Sequence, residues 1–183
     1  MRFFDAIPLL FVLQACSGDV SATGTGDTDG ACDQGPTVVE PGVGEFELQL
    51  LSGGESISMV HGPQGGWHVD TAAMVRGTGD VIQIIPSLIL TENGESIAGL
   101  EQIPETVALG AYDASACEGT VIAIRAYVDD VERDPPYSDF ICTLHGREVE
   151  MTLTVTDVVS GEVGTGVATF TLLRDPADNA LCN

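Results

Sequence analysis

The sequence predicts an all-β domain, an antiparallel sandwich, set behind a short leader and a polar tether. Three observations carry that prediction. Beyond position 35 the runs alternate apolar and polar side chains. In Val149-Glu150-Met151-Thr152-Leu153-Thr154-Val155-Thr156 four apolar side chains face one way, with Glu and Thr opposite. Turn signals punctuate the runs, as in Glu92-Asn93-Gly94-Glu95 and Val159-Ser160-Gly161-Glu162. Nowhere does a 3.6-residue apolar period persist over several turns. About eight or nine short strands at this spacing suit a sandwich, and residues 36–183 are enough for one domain with its own core.

The elements follow in order. Residues 1–15 have the layout of a secretory signal: Arg2 early, an apolar stretch from Ala6 to Leu13, and small Ala15 at the cut site. The stretch is far shorter than the roughly 20 residues of a spanning helix. Leu13-Gln14-Ala15-Cys16 resembles the lipobox of bacterial lipoproteins. That resemblance implies that Cys16 carries several acyl chains and that everything ahead of it is removed. Ser17 after the cysteine implies, on the same ground, the outer membrane, with the domain facing the periplasm or the cell surface. An ordinary signal peptide cut nearby, with Cys16 a plain thiol, is the alternative. Residues 16–35 are rich in Gly, Ser, Thr, Ala and Asp, too poor in apolar surface to offset ordering, and read as a flexible tether.

Strand candidates are Phe46 to Leu50, Ser56 to Val60, Trp67 to Arg76, Val81 to Leu90, Ser96 to Leu100, Thr106 to Tyr112, Val121 to Val128, Val149 to Thr156 and Val163 to Leu173. Pro86 marks its run as an edge strand or a bulge. In the seventh of these, Ile122, Ile124, Ala126 and Val128 form one face, and Val121, Ala123, Arg125 and Tyr127 the other. Asp134-Pro135-Pro136 marks a longer loop.

The chain carries 6 Lys+Arg against 28 Asp+Glu, a formal charge of -22. Nucleic acid and anionic lipid headgroups would be repelled, so neither is an expected partner. A solvated acidic surface is the simplest account. With Cys16 assigned to lipid, Cys32, Cys117, Cys142 and Cys182 form an even set suited to two disulfides in an oxidising compartment. Three pairings are open; Cys117 with Cys142 and Cys32 with Cys182 is the preferred one. No Cys-x-x-Cys spacing supports zinc.

The least ordinary stretch is His61-Gly62-Pro63-Gln64-Gly65-Gly66-Trp67-His68-Val69, which holds the one Trp of the chain and two of its 3 His. Alternation puts Trp67, Val69, Thr71 and Ala73 on one face, toward the core, and His68, Asp70, Ala72 and Met74 on the other. Followed by Arg76-Gly77, this stretch resembles a signature of uncharacterised lipoproteins from large-genome Gram-negative bacteria. Leu144-His145-Gly146-Arg147-Glu148-Val149, leading into Val155-Thr156-Asp157, is similar to a second element of those proteins. The resemblance spans the leader, the tether and much of the domain. It implies an immunoglobulin-like sandwich and brings with it neither an activity nor site residues.

Three readings of the loop stand side by side. The loop is a tight turn with Trp67 packed and the histidines bonded locally. Alternatively, it is a recognition surface presenting His61, Gln64, Trp67 and His68 to a protein or glycan. Alternatively, His61 and His68, with Met59 or Met74, bind copper or another metal, imidazole and thioether being suited to copper. Asp27-Thr28-Asp29-Gly30 lacks the later Gly and closing Glu of a calcium loop, and Asp129, Asp130, Glu132 and Asp134 make a weak candidate for calcium. Neither Gly-x-Ser-x-Gly nor His-Glu-x-x-His occurs, so no catalytic role is expected and no cofactor is called for. The sequence thus points to a membrane-anchored lipoprotein with a binding or structural module, the alternative being a metal-handling envelope lipoprotein.

Overall fold

A computed structural model of the chain describes Cys32 and residues 35–63, 66–97, 103–128 and 137–182. The proposed signal, Cys16, most of the tether, Gln64 and the acids Asp129 to Asp134 lie outside those residues.

Among the described residues, eleven strands form two sheets. The first holds β1 (Val38–Val43), β2 (Gln49–Leu50), β4 (Val60–His61), β5 (Trp67–Arg76), β8 (Gly110–Asp113) and β9 (Glu118–Val128). Its order is β2-β1-β5-β9-β8, with β4 pairing β5 beyond the end of β1. The second holds β3 (Ser56–Ser58), β6 (Val81–Leu90), β7 (Glu105–Ala108), β10 (Arg147–Asp157) and β11 (Val163–Leu173), in the order β3-β11-β10-β6-β7. All pairings are antiparallel except β3 with β11. Strands β1, β5, β9 and β8 occupy the places of A, B, E and D in an immunoglobulin domain, and β6, β10 and β11 those of C, F and G. The protein is an all-β, immunoglobulin-like sandwich.

Each long strand turns alternate side chains inward. Strand β10 buries Val149, Met151, Leu153 and Val155, as its alternation predicts. They meet Val69 and Val75 of β5 and Ile84 and Leu88 of β6 in one core cluster. The two sheets approach closely where β1 crosses β11. A Cβ added at Gly166 would lie 2.5 Å from the Val39 carbonyl oxygen and 2.8 Å from Pro41 Cγ, so only Gly fits that crossing. Both expected hairpin turns are present. Asp157 accepts from the N–H groups of Val159 and Ser160 in its own turn and from that of Gly79 in the loop after β5. Burial pushes its carboxyl upward, but these bonds outweigh it and hold it below the usual range. Strand β7 covers only Val81 to Ile84 of β6, so Pro86 lies past its end, an edge-like place that asks for no ladder bond.

Several expectations need correction. The run from Ser56 to Val60 is two strands: β3 belongs to the second sheet and β4 to the first, and the chain crosses at buried Met59. The run from Thr106 to Tyr112 divides likewise into β7 and β8, crossing at buried Leu109. The strand from Phe46 shrinks to Gln49–Leu50. Gly44, at φ 143°, bends the chain there and leaves Phe46 84% exposed. In β9 it is Val121 that is buried, while Ile122 is exposed. A bulge opposite Ala72 sets Ala123 at φ 58° and sends its N–H to the Gly44 carbonyl at 2.9 Å, reversing the face assignment on one side of it. From Ser96 to Leu100, the described part makes a single bridge, Ile89 with Ser96.

A helix not expected from the sequence, α1 (Tyr137–Leu144), follows Asp134-Pro135-Pro136 and buries Phe140, Ile141 and Leu144 against the core. The disulfides join Cys32 to Cys117 and Cys142 to Cys182, not the preferred pairs. Cys117 sits in the turn between β8 and β9, whereas Cys142 sits on α1, and the described chain places each beside a different terminus. The first bridge ties the start of the domain to the β8–β9 turn; the second ties its end to α1.

Candidate functional site

The stretch from His61 to Trp67 turns β4 back into β5, and Gly62 donates to the Gly66 carbonyl at 2.9 Å to close it. His61 and Trp67 are register partners, so their side chains leave the same face of the sheet. Their rings stack with centroids 4.4 Å apart and planes 22° from parallel. Trp67 is buried in the core cluster, as the alternation predicts.

The partner of this pair comes from the far end of the chain. After β11, Asp175 caps a short 3-10 helix, Pro176–Ala180, by accepting from the Ala177 N–H at 2.8 Å. Its other oxygen accepts from the His61 N–H at 2.9 Å. The bonds from His61 and Ala177 hold the Asp175 carboxyl below the usual carboxylate range. One turn on, Asp178 is 97% buried. Its Oδ1 lies 2.7 Å from His61 Nδ1, and its Oδ2 accepts from Trp67 Nε1 at 2.5 Å. An ionised carboxylate only accepts, so Nδ1 is the nitrogen of His61 that carries the proton toward it. The Cys142–Cys182 bond then fastens the segment to α1. The C-terminal segment is therefore a strap against the paired His61 and Trp67, held by the Cys142–Cys182 bond and by hydrogen bonds from both residues.

His68 stands on the opposite face of the sheet. Its side chain is 91% buried, with Nε2 3.3 Å from Asp70 Oδ1 and its ring 6.1 Å from that of Tyr127. Burial pushes the imidazole pKa down against the pull of Asp70. His61 and His68 are thus separated by the sheet and cannot share an ion. Met59 is buried in the core, and Met74 lies six residues along β5 from His68, about 20 Å away, beside Arg76. The copper set proposed from the sequence does not converge, and among the described residues no three His, Cys, Asp or Glu side chains group to hold a metal.

The other pieces of the motif have structural partners. Arg76 reaches Glu40 and Glu118, one on each neighbouring strand. Gly77 donates to the Cys117 carbonyl at 2.8 Å. His145 accepts from the Arg174 N–H at 3.3 Å, Gly146 donates to the Leu172 carbonyl, and Arg147 pairs with Glu92. Sequence reasoning missed Asp175 and Asp178. The available signal was Asp175 directly before Pro176, a helix-start pattern, with Cys182 close behind. Taken together, the loop and strap place two N–H donors, an indole and an imidazole, around one carboxylate. That arrangement holds the Asp178 carboxylate, and no hydroxyl or thiol among the described residues bonds to His61.

No family model matches the chain, and no curated protein matches it. Among solved structures it is similar to the CooA pilin subunit from enterotoxigenic Escherichia coli, at 12% identity and a TM-score of 0.35, over 75% of this chain and 99% of that one. It is also similar to the N-terminal domain of PorA, at 14% identity and 0.28, over 73% and 96%. The third is Bacteroides uniformis β-glucuronidase, at 6% and 0.29, over 72% of this chain and 12% of that one. Likeness at these scores carries no inference about what the protein does. The two disulfides place the domain in an oxidising, extracytoplasmic compartment. No helix among the described residues is long and apolar enough to cross a membrane.

Proposed function

We propose that the protein is a lipid-anchored envelope module of the outer membrane, fastened at Cys16, whose immunoglobulin-like domain presents the loop and strap to a protein or glycan partner. The observation that carries the reading is the Cys32–Cys117 bond. It fixes the entry point of the domain sixteen positions after the lipobox cysteine and so gives the intervening polar segment a defined far end. Covalent geometry limits that segment to a reach of roughly 55 Å. Several acyl chains give firm anchoring where a single chain gives only reversible attachment. The acidic charge keeps the domain off an anionic bilayer surface and leaves its loops facing fluid. Membership of the lipoprotein group that shares the His-Gly-Pro-Gln-Gly-Gly-Trp-His stretch is part of this proposal.

Intact mass of the protein extracted from membranes tests the anchor. The expected species begins at Cys16 and carries acyl groups. A water-soluble chain with a free amine at another residue overturns it.

A further inference from the structure

The geometry points to a carboxylate clamp, made by Trp67 Nε1 and His61 Nδ1, that the chain's own strap occupies and that an acidic peptide can take when the strap is released. The inference deepens the reading of the loop as a recognition surface and is independent of the lipid anchor.

The donors belong to the body of the domain, whereas the acceptor does not. Trp67 and His61 are adjacent on paired strands and stacked, so the two sheet strands hold both N–H groups on one face. Asp178 arrives on a segment of a few residues after the last strand, and its carboxylate is more than nine-tenths buried between them. Donors that bridge both oxygens of one carboxylate select it over a neutral amide, because bonds to a charged acceptor are the stronger kind. The His61 backbone N–H, on Asp175, adds a second acidic subsite three positions earlier along the bound peptide. The ligand class is thus an extended or turned segment with two acidic side chains spaced as in Asp175-Pro176-Ala177-Asp178.

The Cys142–Cys182 bond sets when the clamp is free. While it is closed, both ends of the strap are fixed and Asp178 competes at its highest effective concentration; once it is open, the backbone after β11 still tethers Asp178, and a peptide in trans competes only at high concentration. Exchange with a dithiol opens it. The dithiol supplies two electrons and closes to its own disulfide, and Cys142 and Cys182 end as two thiols. The strap is then fixed at one end only, by the backbone that joins it to β11, and otherwise by its hydrogen bonds.

The chain's single Trp makes the test direct. Full-length protein in detergent micelles is compared with its Cys142→Ser/Cys182→Ser variant, which leaves Cys32–Cys117 intact. The probe is a synthetic peptide of residues 174–181. Trp67 emission in the variant should shift to longer wavelength, and the peptide should reverse that shift saturably. A peptide carrying the Asp178→Asn change should bind about fivefold more weakly. The disulfide-intact protein should show no response. Far-UV circular dichroism keeps the fold in view, and a variant truncated after Arg174 supplies the form without a strap. Well-folded strap-free protein that ignores the peptide at millimolar concentration overturns the clamp, even if a partner is later found to bind the loop elsewhere. Equal binding of the Asn peptide overturns the carboxylate selectivity. Tail-exchanged dimers with native Trp67 emission would support a clamp that accepts the strap in trans.

Discussion

Replacing Asp178 with Ala should destabilise the whole domain, not merely free its last residues. The carboxylate serves two donors. One, the Trp67 indole, is 5% exposed and has little access to water once its acceptor is gone. The other, on His61, has a side chain 34% exposed and can be rehydrated. Losing a charge-assisted bond at a buried donor costs about 1.5–3 kcal/mol, and the half-exposed one adds less, so about 2–4 kcal/mol is expected in all. Asp178→Asn keeps an acceptor for the indole and lets His61 change tautomer, for a loss of about 1 kcal/mol. His61→Ala alone should cost about 1 kcal/mol, and the His61/Asp178 double-mutant cycle should give a coupling of about 0.5–1.5 kcal/mol. Urea unfolding of the oxidised protein, followed by Trp67 fluorescence and by far-UV circular dichroism, measures each value. Coincident transitions would license the two-state treatment. A loss below about 0.5 kcal/mol for Asp178→Ala would refute the reasoning, since it would mean that water replaces Asp178 at the indole without penalty.

Three further outcomes are expected. Removing Cys32–Cys117, which closes an 85-residue separation, should cost about 4.5 kcal/mol by chain entropy, against about 4 for Cys142–Cys182 with its separation of 40; melting of the two Ser-pair variants should preserve that order. Gly166→Ala should cost about 1–3 kcal/mol because its Cβ meets the Val39 carbonyl and Pro41 across the β1–β11 crossing, and a wild-type midpoint in urea would rule the contact out. Asp157 has a folded pKa below its ordinary 3.8, so its contribution is full above that value and is lost as pH falls through the folded one. Stability should therefore decline as pH falls below about 5, and an Asp157→Asn variant, already weaker at neutral pH, should decline less steeply.

The long strands could be read directly. Strands β5, β6, β10 and β11 each run ten residues or more, and a period of two sustained that far has one interpretation. The short ones misled because alternation records which side faces the core, not which sheet supplies the hydrogen bonds. A strand that crosses the sandwich at Met59 or Leu109 can keep a buried residue at the crossing and leave no break in the pattern. The β9 bulge is invisible for a related reason: Ala123 has a small side chain that tolerates φ 58°, and nothing in Ile122-Ala123-Ile124 announces an added residue. Helix α1 spans eight residues, too few for a 3.6-residue period to repeat convincingly. The site was half legible. His61, Trp67 and the glycines between them stood out, but the carboxylate that completes them lies 111 residues further on, in a polar tail with no periodicity. Pairing of the cysteines depends on which loops meet in space, and spacing along the chain does not contain that.

The bridge between Cys32 and Cys117 also decides how the domain responds to being pulled. Tension applied to the polypeptide ahead of Cys32 passes through the sulfur atoms into the turn before β9, a strand laddered on both sides in the middle of its sheet. Strand β1 lies inside the closed ring, off that path. The first strand is thus shielded from being unzipped rung by rung, and a shearing flow would have to tear a central strand out of the sheet before the sandwich yields.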